Sequence, residues 1–187
     1  NAITITGKVF SDDVALDCGA GNESVSHDGF IAGDIILGDG FNSFSCRKGT
    51  VDGFVFGGMD NDSYNIFGNR IKIKEQDGGG IDSVYAARTT TLARFTENLF
   101  LLGKKDIDGK GNAEDNGLFG NAGDNILRGF GGADLFSAGR GNDKCFGGGG
   151  PDTFMIYSDS GKDRIMDFAP DEDILDVTSF GYDSRHE

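Results

Sequence analysis

A nine-residue repeat between residues 111 and 155 constrains this chain more than any other feature. The segment divides without remainder into five copies: GNAEDNGLF, GNAGDNILR, GFGGADLFS, AGRGNDKCF and GGGGPDTFM. A period of nine matches neither the 3.6-residue period of a helix nor the two-residue period of an ordinary strand. It predicts a coil in which very short strands are separated by glycine-rich turns.

Two columns of the repeat differ in chemistry. The sixth residue of each copy is an acid or an amide, whereas the eighth is apolar and is therefore expected to lie in the core. The sixth residues are Asn116, Asn125, Asp134, Asp143 and Asp152, and the eighth residues are Leu118, Leu127, Phe136, Cys145 and Phe154.

The copies resemble the nonapeptide GGxGxDxUx, the calcium-binding repeat of RTX (repeats-in-toxin) proteins. The match is close in GGGGPDTFM and weaker in the first two copies, where Asn replaces Asp and Glu114 replaces glycine. The resemblance implies an all-β fold, a right-handed parallel β-roll or β-solenoid with short strands, calcium-binding loops and a C-terminal cap. Two nonapeptides would form one turn, so that residues 116, 134 and 152 stack in one column and residues 125 and 143 in another.

Elementary electrostatics indicates why such columns need a cation. Stacked parallel strands lie about 4.8 Å apart, and two bare carboxylates at that distance repel by roughly 3 kcal/mol at an effective dielectric near 20. Calcium suits the position because it accepts about six to eight oxygen ligands in a tolerant geometry. The alternative is a metal-free solenoid of Asx turns, since Gly, Asn and Asp favour turns in any case; it fits Asn116 and Asn125 best.

The resemblance implies that several Ca²⁺ ions lie between stacked loops, held by side chains of the columns and by the loop backbone. The predicted metal residues are Asp134, Asp152, Asp143, Asn125 and Asn116, together with the loop residues Gly111, Gly120, Ala122, Gly123, Gly129, Gly131, Gly132, Gly139, Gly141, Gly147, Gly149 and Gly150. The pairs ranked first to third are Asp134 with Asp152, Asp143 with Asn125, and Asn116 with Asp134.

The first hundred residues contain irregular copies of the same nine-residue repeat. Copies begin at residues 18, 37, 57 and 77, and their sixth positions are separated by 19, 20 and 20 residues. Residues 2–6 and 70–74 alternate between apolar and polar, as half-buried strands do. These patterns predict an irregular parallel solenoid over residues 1–100. Asp62 and Asp82 are further candidate calcium ligands, with solvated turn residues as the equally supported alternative.

Two segments flanking the repeats also resemble RTX proteins. Residues 84–112 contain a Glu-Asn-Leu strand and an Asp-x-x-Gly turn, and residues 152–180 resemble the end of serralysin-type domains. The chain is accordingly divided into an irregular solenoid (1–100), a regular β-roll (101–157) and a C-terminal capping and secretion region (158–187). The predicted cap uses Phe168, Ile174, Leu175, Val177 and Phe180; Asp159, Asp163, Asp167 and Asp173 would form a last calcium site or salt links with Lys162 or Arg164.

Composition and motifs narrow the function classes. The net charge of −14 argues against a nucleic-acid partner, and no apolar run reaches the length of a membrane span. The sequence has no HExxH, GxSxG or Walker motif, which predicts that the chain is not an enzyme. We expect His27 and His186 to be exposed, Cys145 to be buried, and Cys18 and Cys46 to be free thiols rather than a disulfide.

The predicted function is that of a secreted, extracellular or cell-surface calcium-binding module with a structural role, folding outside the cell as calcium binds. It would belong to a surface layer, an adhesin, an extracellular filament or the C-terminal part of a larger exoprotein, and the resemblance implies type I secretion. The alternative is a carbohydrate-binding accessory module of a secreted polysaccharide-modifying enzyme or protease. Expected partners are calcium, and a polysaccharide or neighbouring copies at the cell surface; Phe41, Tyr64, Tyr85 or Phe130 would stack on sugars.

Overall fold

Short alternating segments of this sequence form short strands, because in each strand one or two inward side chains pack into the core while their neighbours face outwards. The computed structural model describes residues 1–158 and 160–178. The fold is all-β, a parallel β-solenoid of about nine turns with almost no helix. The strands are β1 (Ala2–Ile5), β2 (Lys8–Asp17), β3 (Ser24–His27), β4 (Phe30–Ile36), β5 (Ser43–Cys46), β6 (Thr50–Val51), β7 (Phe54–Phe56), β8 (Ser63–Ile66), β9 (Lys72–Lys74), β10 (Ser83–Ala86), β11 (Thr90–Thr91), β12 (Asn98–Leu101), β13 (Gly109–Lys110), β14 (Gly117–Phe119), β15 (Ile126–Gly131), β16 (Leu135–Ser137), β17 (Lys144–Gly149), β18 (Thr153–Met155), β19 (Arg164–Ile165) and β20 (Ile174–Asp176).

The chain divides into two compact units, of which the first comprises Asn1–Arg88 and Ala93–Asn98. In this unit β1, β3, β5, β8 and β10 pair in that order, and a second sheet has the order β2-β4-β7-β9 with β6 also on β4. Ser24 pairs with Ser43, Ser43 with Ser63 and Ser63 with Ser83, all in parallel. These turns therefore have 19 or 20 residues, whereas the first turn, in which Ala2 pairs with Ser24, has 22. The parallel stacking of the strands agrees with the predicted fold class.

The second unit comprises Thr89–Leu92 and the chain from Leu99 onwards. One of its sheets runs β12-β14-β16-β18-β20 and the other β11-β13-β15-β17-β19. Leu118 pairs with Phe136 and Phe136 with Phe154, whereas Leu127 pairs with Cys145 in the other sheet. Each pairing spans 18 residues, so two nonapeptides form one turn, as predicted.

The core of each unit is built from stacked apolar residues, one or two from most strands. In the first unit Val25, Phe44, Tyr64 and Val84 are buried, and in the second all five residues at the eighth position of the nonapeptide are buried. Phe136 and Phe154 stack with ring centroids 4.9 Å apart. Burial of each large apolar side chain contributes about 1.5–3 kcal/mol, so every added turn stabilises the one beside it.

His27 corrects one expectation, since it lies in the core at 1% exposure instead of in an exposed turn. The inward residues of β3 are Val25 and His27, so the strand alternation places the imidazole beneath the next turn. Its Nε2 lies 3.1 Å from the Thr50 carbonyl oxygen, and its Nδ1 accepts the Gly29 N–H at 3.4 Å. His186 lies outside the described residues.

The structure contains no disulfide among the three cysteines, as expected. Cys18, Cys46 and Cys145 are free thiols, and the latter two are buried. We find no helical segment in residues 1–158 and 160–178 with the length and hydrophobicity of a membrane span.

The predicted C-terminal cap stays a prediction. Strand β20 extends its sheet by parallel pairing with β18, and its Ile174 and Leu175 are 59% and 47% exposed. Phe180 and Asp159 lie outside the described residues. The three-part division of the chain, with its capping and secretion region, likewise remains a prediction.

Phe130 provides a test of backbone strain in the repeat. It has φ 84°, where its pairing partner in the next turn is Gly148 with φ 103°. A left-handed conformation costs a residue with a side chain about 1–2 kcal/mol. Because Phe41 is comparably exposed (58% against 54%) and has no positive φ, we expect Phe130→Gly to be less destabilising than Phe41→Gly by about 1–2 kcal/mol. Urea unfolding of the two variants at the same calcium concentration measures this difference, and equal losses would contradict the strain.

Candidate metal centre

The sixth residue of each aspartate-containing nonapeptide accepts a hydrogen bond from the turn before it. Asp134 Oδ1 accepts the Asn116 N–H at 2.8 Å, and Asp152 Oδ1 accepts the Asp134 N–H at 3.0 Å. In the other column Asp143 Oδ1 accepts the Asn125 N–H at 2.7 Å. The structure thus brings together the residues of both predicted columns.

The fifth residues form a second ladder in the opposite direction, which the sequence analysis did not single out. Asp115 Oδ1 accepts the Ala133 N–H at 2.7 Å, and Asp124 Oδ1 accepts the Asn142 N–H at 2.9 Å, both from the following turn. These carboxylates lie at the surface. Adjacent turns are therefore joined by side-chain bonds in both directions, in addition to the strand pairing.

Two of the buried aspartates of these columns have one oxygen without a partner. Asp134 Oδ2 and Asp143 Oδ2 are buried and accept no hydrogen bond from any described residue. Burying an ionised carboxylate costs several kcal/mol unless it is paired. Each of these side chains must therefore hold a proton or bind a cation.

The cost of burying an ionised carboxylate also raises the pKa values of these aspartates. Burial raises the pKa of Asp134 to about 7, although the bond from the Asn116 N–H opposes the shift; the charge of Asp152 raises it further. Burial also raises the pKa of Asp143 to about 7, with the charge of Asp163 acting in the same direction. A bound cation would reverse this effect, because opposite charge favours the ionised form.

The asparagine loops differ because their amide supplies its own donors. Asn125 Nδ2 donates to the Ile107 carbonyl at 2.6 Å and to Asn121 Oδ1 at 3.0 Å, while its Oδ1 accepts the Asn121 N–H at 2.9 Å. Asn116 Nδ2 similarly donates to Asn112 Oδ1 at 3.1 Å. An aspartate has no donor for such positions, so a cation or a proton must take that role. The metal-free Asx-turn alternative therefore describes the two asparagine loops well, and the aspartate loops poorly.

The first residue of the nonapeptide leaves space for the sixth. A Cβ atom on Gly129 would overlap Asp134 Oδ2, and one on Gly147 would overlap Asp152 Oδ2. Neither glycine has a positive φ, so the constraint is one of space. The loop glycines Gly132, Gly139, Gly141 and Gly150 have positive φ, a conformation that residues with a side chain rarely adopt.

Asp163 and Asp173 extend these columns, although they were predicted to belong to a separate C-terminal site. Asp163 Oδ1 accepts the Asp143 N–H at 3.1 Å, and Asp173 Oδ1 accepts the Asp152 N–H at 3.0 Å. Their spacings are 20 and 21 residues, so the nine-residue alignment loses them. A signal existed nonetheless, since Gly-Lys-Asp at 161–163 repeats Gly-Asn-Asp at 141–143.

The other C-terminal acids were predicted to form a calcium site or salt links. Asp167 Oδ1 accepts the Gly147 N–H at 2.9 Å, and Asp173 Oδ2 accepts the Ala169 N–H at 2.8 Å. Asp163 Oδ2 is buried without a partner among the described residues. Backbone amides are therefore the partners that the structure gives Asp167 and Asp173.

In the first unit the same ladder passes through Asp62 and Asp82. Asp62 Oδ1 accepts the Asn42 N–H and Asp82 Oδ1 accepts the Asp62 N–H, both at 2.7 Å. Both side chains are buried, so the alternative of solvated turn residues is wrong. Burial raises the pKa of Asp62 to about 7 and that of Asp82 to about 6.

Tyr64 was one of the residues expected to stack on sugars if the chain binds carbohydrate, and this expectation is wrong. Its ring is fully buried and its hydroxyl donates to Glu75 Oε1. It therefore cannot stack on a sugar.

The raised pKa values predict how stability depends on pH when calcium is removed by a chelator. Between about pH 4, where an unfolded aspartate ionises, and about pH 7, the folded Asp134 and Asp143 bind more protons than the unfolded chain. The free energy of unfolding should therefore fall as pH rises through this range. Urea unfolding at pH 4 to 6, below the range in which the calcium-free chain is expected to lose its structure, measures the slope, which should be shallower in the double variant Asp134→Asn/Asp143→Asn. A wild-type slope that is flat or positive would contradict the assignment.

Comparison with known proteins agrees with this geometry. A family model described as RTX calcium-binding nonapeptide repeat (4 copies) matches residues 110–145 and 119–154. No curated protein and no solved structure matches the chain. The serralysin-type character of the C-terminal end is not confirmed. The matched repeats and the parallel β-solenoid together fit an RTX β-roll protein.

Proposed function

We propose that this chain is a secreted calcium-binding module with a structural role, which folds outside the cell when Ca²⁺ binds the aspartate loops of the second unit. The observation that carries the proposal is the pair of buried, partnerless oxygens, Asp134 Oδ2 and Asp143 Oδ2. They lie in the segment matched by calcium-binding repeats. Calcium supplies the positive charge that these loops lack.

The donor set supports calcium over softer metals. The columns offer carboxylate oxygens and the loops offer backbone carbonyls, a set preferred by hard cations such as Ca²⁺ and Mg²⁺. Calcium accepts a variable number of oxygens, whereas magnesium requires a near-ideal octahedron. Loops assembled from two separate turns suit the more tolerant ion. Asp134, Asp143 and Asp152 are the proposed ligands, with Asp163 as an additional one beside Asp143.

Linkage explains why the module would fold outside the cell. An ion that binds only the folded state stabilises it by about 2.7 kcal/mol when its concentration is a hundred times Kd. Calcium sites of extracellular modules have Kd values of about 10⁻⁴–10⁻³ M, so they fill only where calcium is abundant. Without the ion, the buried carboxylates oppose folding at neutral pH. Export as an unfolded chain, by a type I route, is consistent with this dependence.

The structural role rests on the class of module and on its surface. RTX β-roll domains are generally non-catalytic structural modules. Phe41 and Phe130 are more than half exposed and offer apolar contacts to a polysaccharide or a neighbouring copy. A surface layer, an adhesin, a filament or the C-terminal part of an exoprotein would each use the folded roll as a spacer or platform.

Calcium titration of the whole chain tests the proposal. We expect circular dichroism to show little strand content in chelator at neutral pH and a cooperative gain as Ca²⁺ is added, with isothermal titration calorimetry reporting binding in the same range. Magnesium at equal concentration serves as the control and should produce much less structure. A chain that is fully folded in chelator and binds no calcium would overturn the proposal.

A matched pair of glycine variants on β15 tests the proposed ligand. The added methyl of Gly129→Ala would overlap Asp134 Oδ2 and, less closely, the Gly147 carbonyl oxygen, whereas the nearest atom to a Cβ on Gly131 is 3.7 Å away. Both substitutions reduce the entropy of the unfolded chain similarly. We therefore expect Gly129→Ala to raise the calcium midpoint of folding at least tenfold and Gly131→Ala to leave it nearly unchanged. Equal midpoints would exclude Asp134 as a ligand.

A further inference from the structure

Three buried acids meet in the first unit, outside the segment that matches the repeat family. One carboxylate oxygen from each of Asp62, Glu75 and Asp82 lies within 4.8 Å of the other two. The three residues are 2%, 6% and 1% exposed. Like charges at such separations repel strongly away from water, so the group requires a compensating charge.

The third acid comes from the opposite sheet. Phe56 pairs with Lys74 in parallel register, so Glu75 lies beside Gly57, the first residue of its nonapeptide-like copy. A Cβ atom on Gly57 would overlap Glu75 Oε1, Asp62 Oδ2 and the Tyr64 hydroxyl oxygen. Three oxygens from different parts of the turn therefore converge on the space that this glycine leaves.

Each acid of the group has one oxygen without a hydrogen-bond partner. The Oδ1 atoms of Asp62 and Asp82 accept ladder bonds, and Glu75 Oε1 accepts the Tyr64 hydroxyl. Asp62 Oδ2, Glu75 Oε2 and Asp82 Oδ2 are buried and accept no hydrogen bond from residues 1–158 or 160–178. The existing bonds fix the three carboxylates in place while leaving an acceptor on each. This is the arrangement of a preformed ligand set rather than of a surface acidic patch.

We propose that Asp62, Glu75 and Asp82 bind one Ca²⁺ ion, at a site outside the regular nonapeptide loops of residues 111–155. Two oxygens on opposite sides of Ca²⁺ are at most about 4.6–5.2 Å apart, twice the usual Ca–O distance, and the three carboxylates fall within this limit. A set of carboxylates without His or Cys favours a hard cation. Tyr64 acts as a positioning residue, because its hydroxyl orients Glu75.

The site differs in composition from the loops of the second unit. There, the register position next to Gly129 in the following turn is Gly147, so no side chain enters from that direction, whereas here Glu75 supplies a third carboxylate beside Asp62 and Asp82. The added negative charge should increase its calcium affinity over that of a loop with two acids. The site depends only on residues of the first unit. Loss of calcium binding here can therefore be measured separately from loss of calcium binding at the regular loops of residues 111–155.

Counting bound ions tests the proposal in the full chain. We expect Glu75→Gln and Gly57→Ala each to lower the number of Ca²⁺ ions bound per chain by one in equilibrium dialysis, while Asp77→Asn and Gly7→Ala bind as many as the wild type. Asp77 is an exposed acid close to Glu75 in sequence, and a Cβ on Gly7 meets no atom within 4 Å. None of the four substitutions lies in the regular loops of residues 111–155, so the ions that remain bound report on those loops alone.

Terbium luminescence gives a second readout. The chain has no Trp, so Tb³⁺ excited in the near ultraviolet must receive energy from tyrosine, and Tyr64 directly contacts the proposed site. We expect Tyr64→Phe to abolish a Ca²⁺-displaceable part of the Tb³⁺ emission that Glu75→Gln also abolishes. Circular dichroism checks folding; if Glu75→Gln fails to fold, Gly57→Ala and the conservative Tyr64→Phe decide. Unchanged ion counts and emission in the folded variants would overturn the proposal and leave protons as the compensating charge.

Discussion

The structure depends on a hydrogen bond between the backbone N–H of one turn and the carboxylate of a buried acid in the next. This bond places a charged group where the turns meet and removes it from water. Strand pairing alone would stack the turns but would not define the loops between strands. The ladder through Asp134 and Asp152 fixes the loops in register. It also leaves the second oxygen of Asp134 to be satisfied by something outside the polypeptide.

The apolar core and the polar ladder both follow from the nine-residue repeat. The eighth residue points inwards and stacks on its counterpart one turn away, as Phe136 does on Phe154. The sixth residue lies two positions earlier on the same face and forms the ladder. Because each turn contributes so little apolar surface, the balance between folded and unfolded states is sensitive to the charge state of the ladder. A small set of carboxylates can thereby control a whole unit.

Much of this organisation could be predicted from the sequence. The phase of the five copies was sufficient for the 18-residue turns and for the two columns, because a strict period fixes which residues stack. The prediction failed where position depends on register or on insertions. Asp163 joins the Asp143 column through a longer turn, and Glu75 reaches Asp62 only because the opposite sheet places it beside Gly57. His27 was expected to be exposed, but the alternation of β3 places it in the core.

The contrast between asparagine and aspartate loops has a consequence for the behaviour of the second unit. Exchanging one nitrogen for one oxygen decides whether a loop can close without an ion, because the Asn125 amide is hydrogen-bonded to Asn121 of its own loop whereas Asp143 Oδ2 has no partner among the described residues. The self-sufficient loops come first along this unit and the conditional ones follow. Only the aspartate loops therefore bring a buried charge that opposes folding when calcium is absent. Because neighbouring turns share a core and a ladder, these few loops set the external calcium concentration at which the whole unit folds, including the turns whose own loops need no ion.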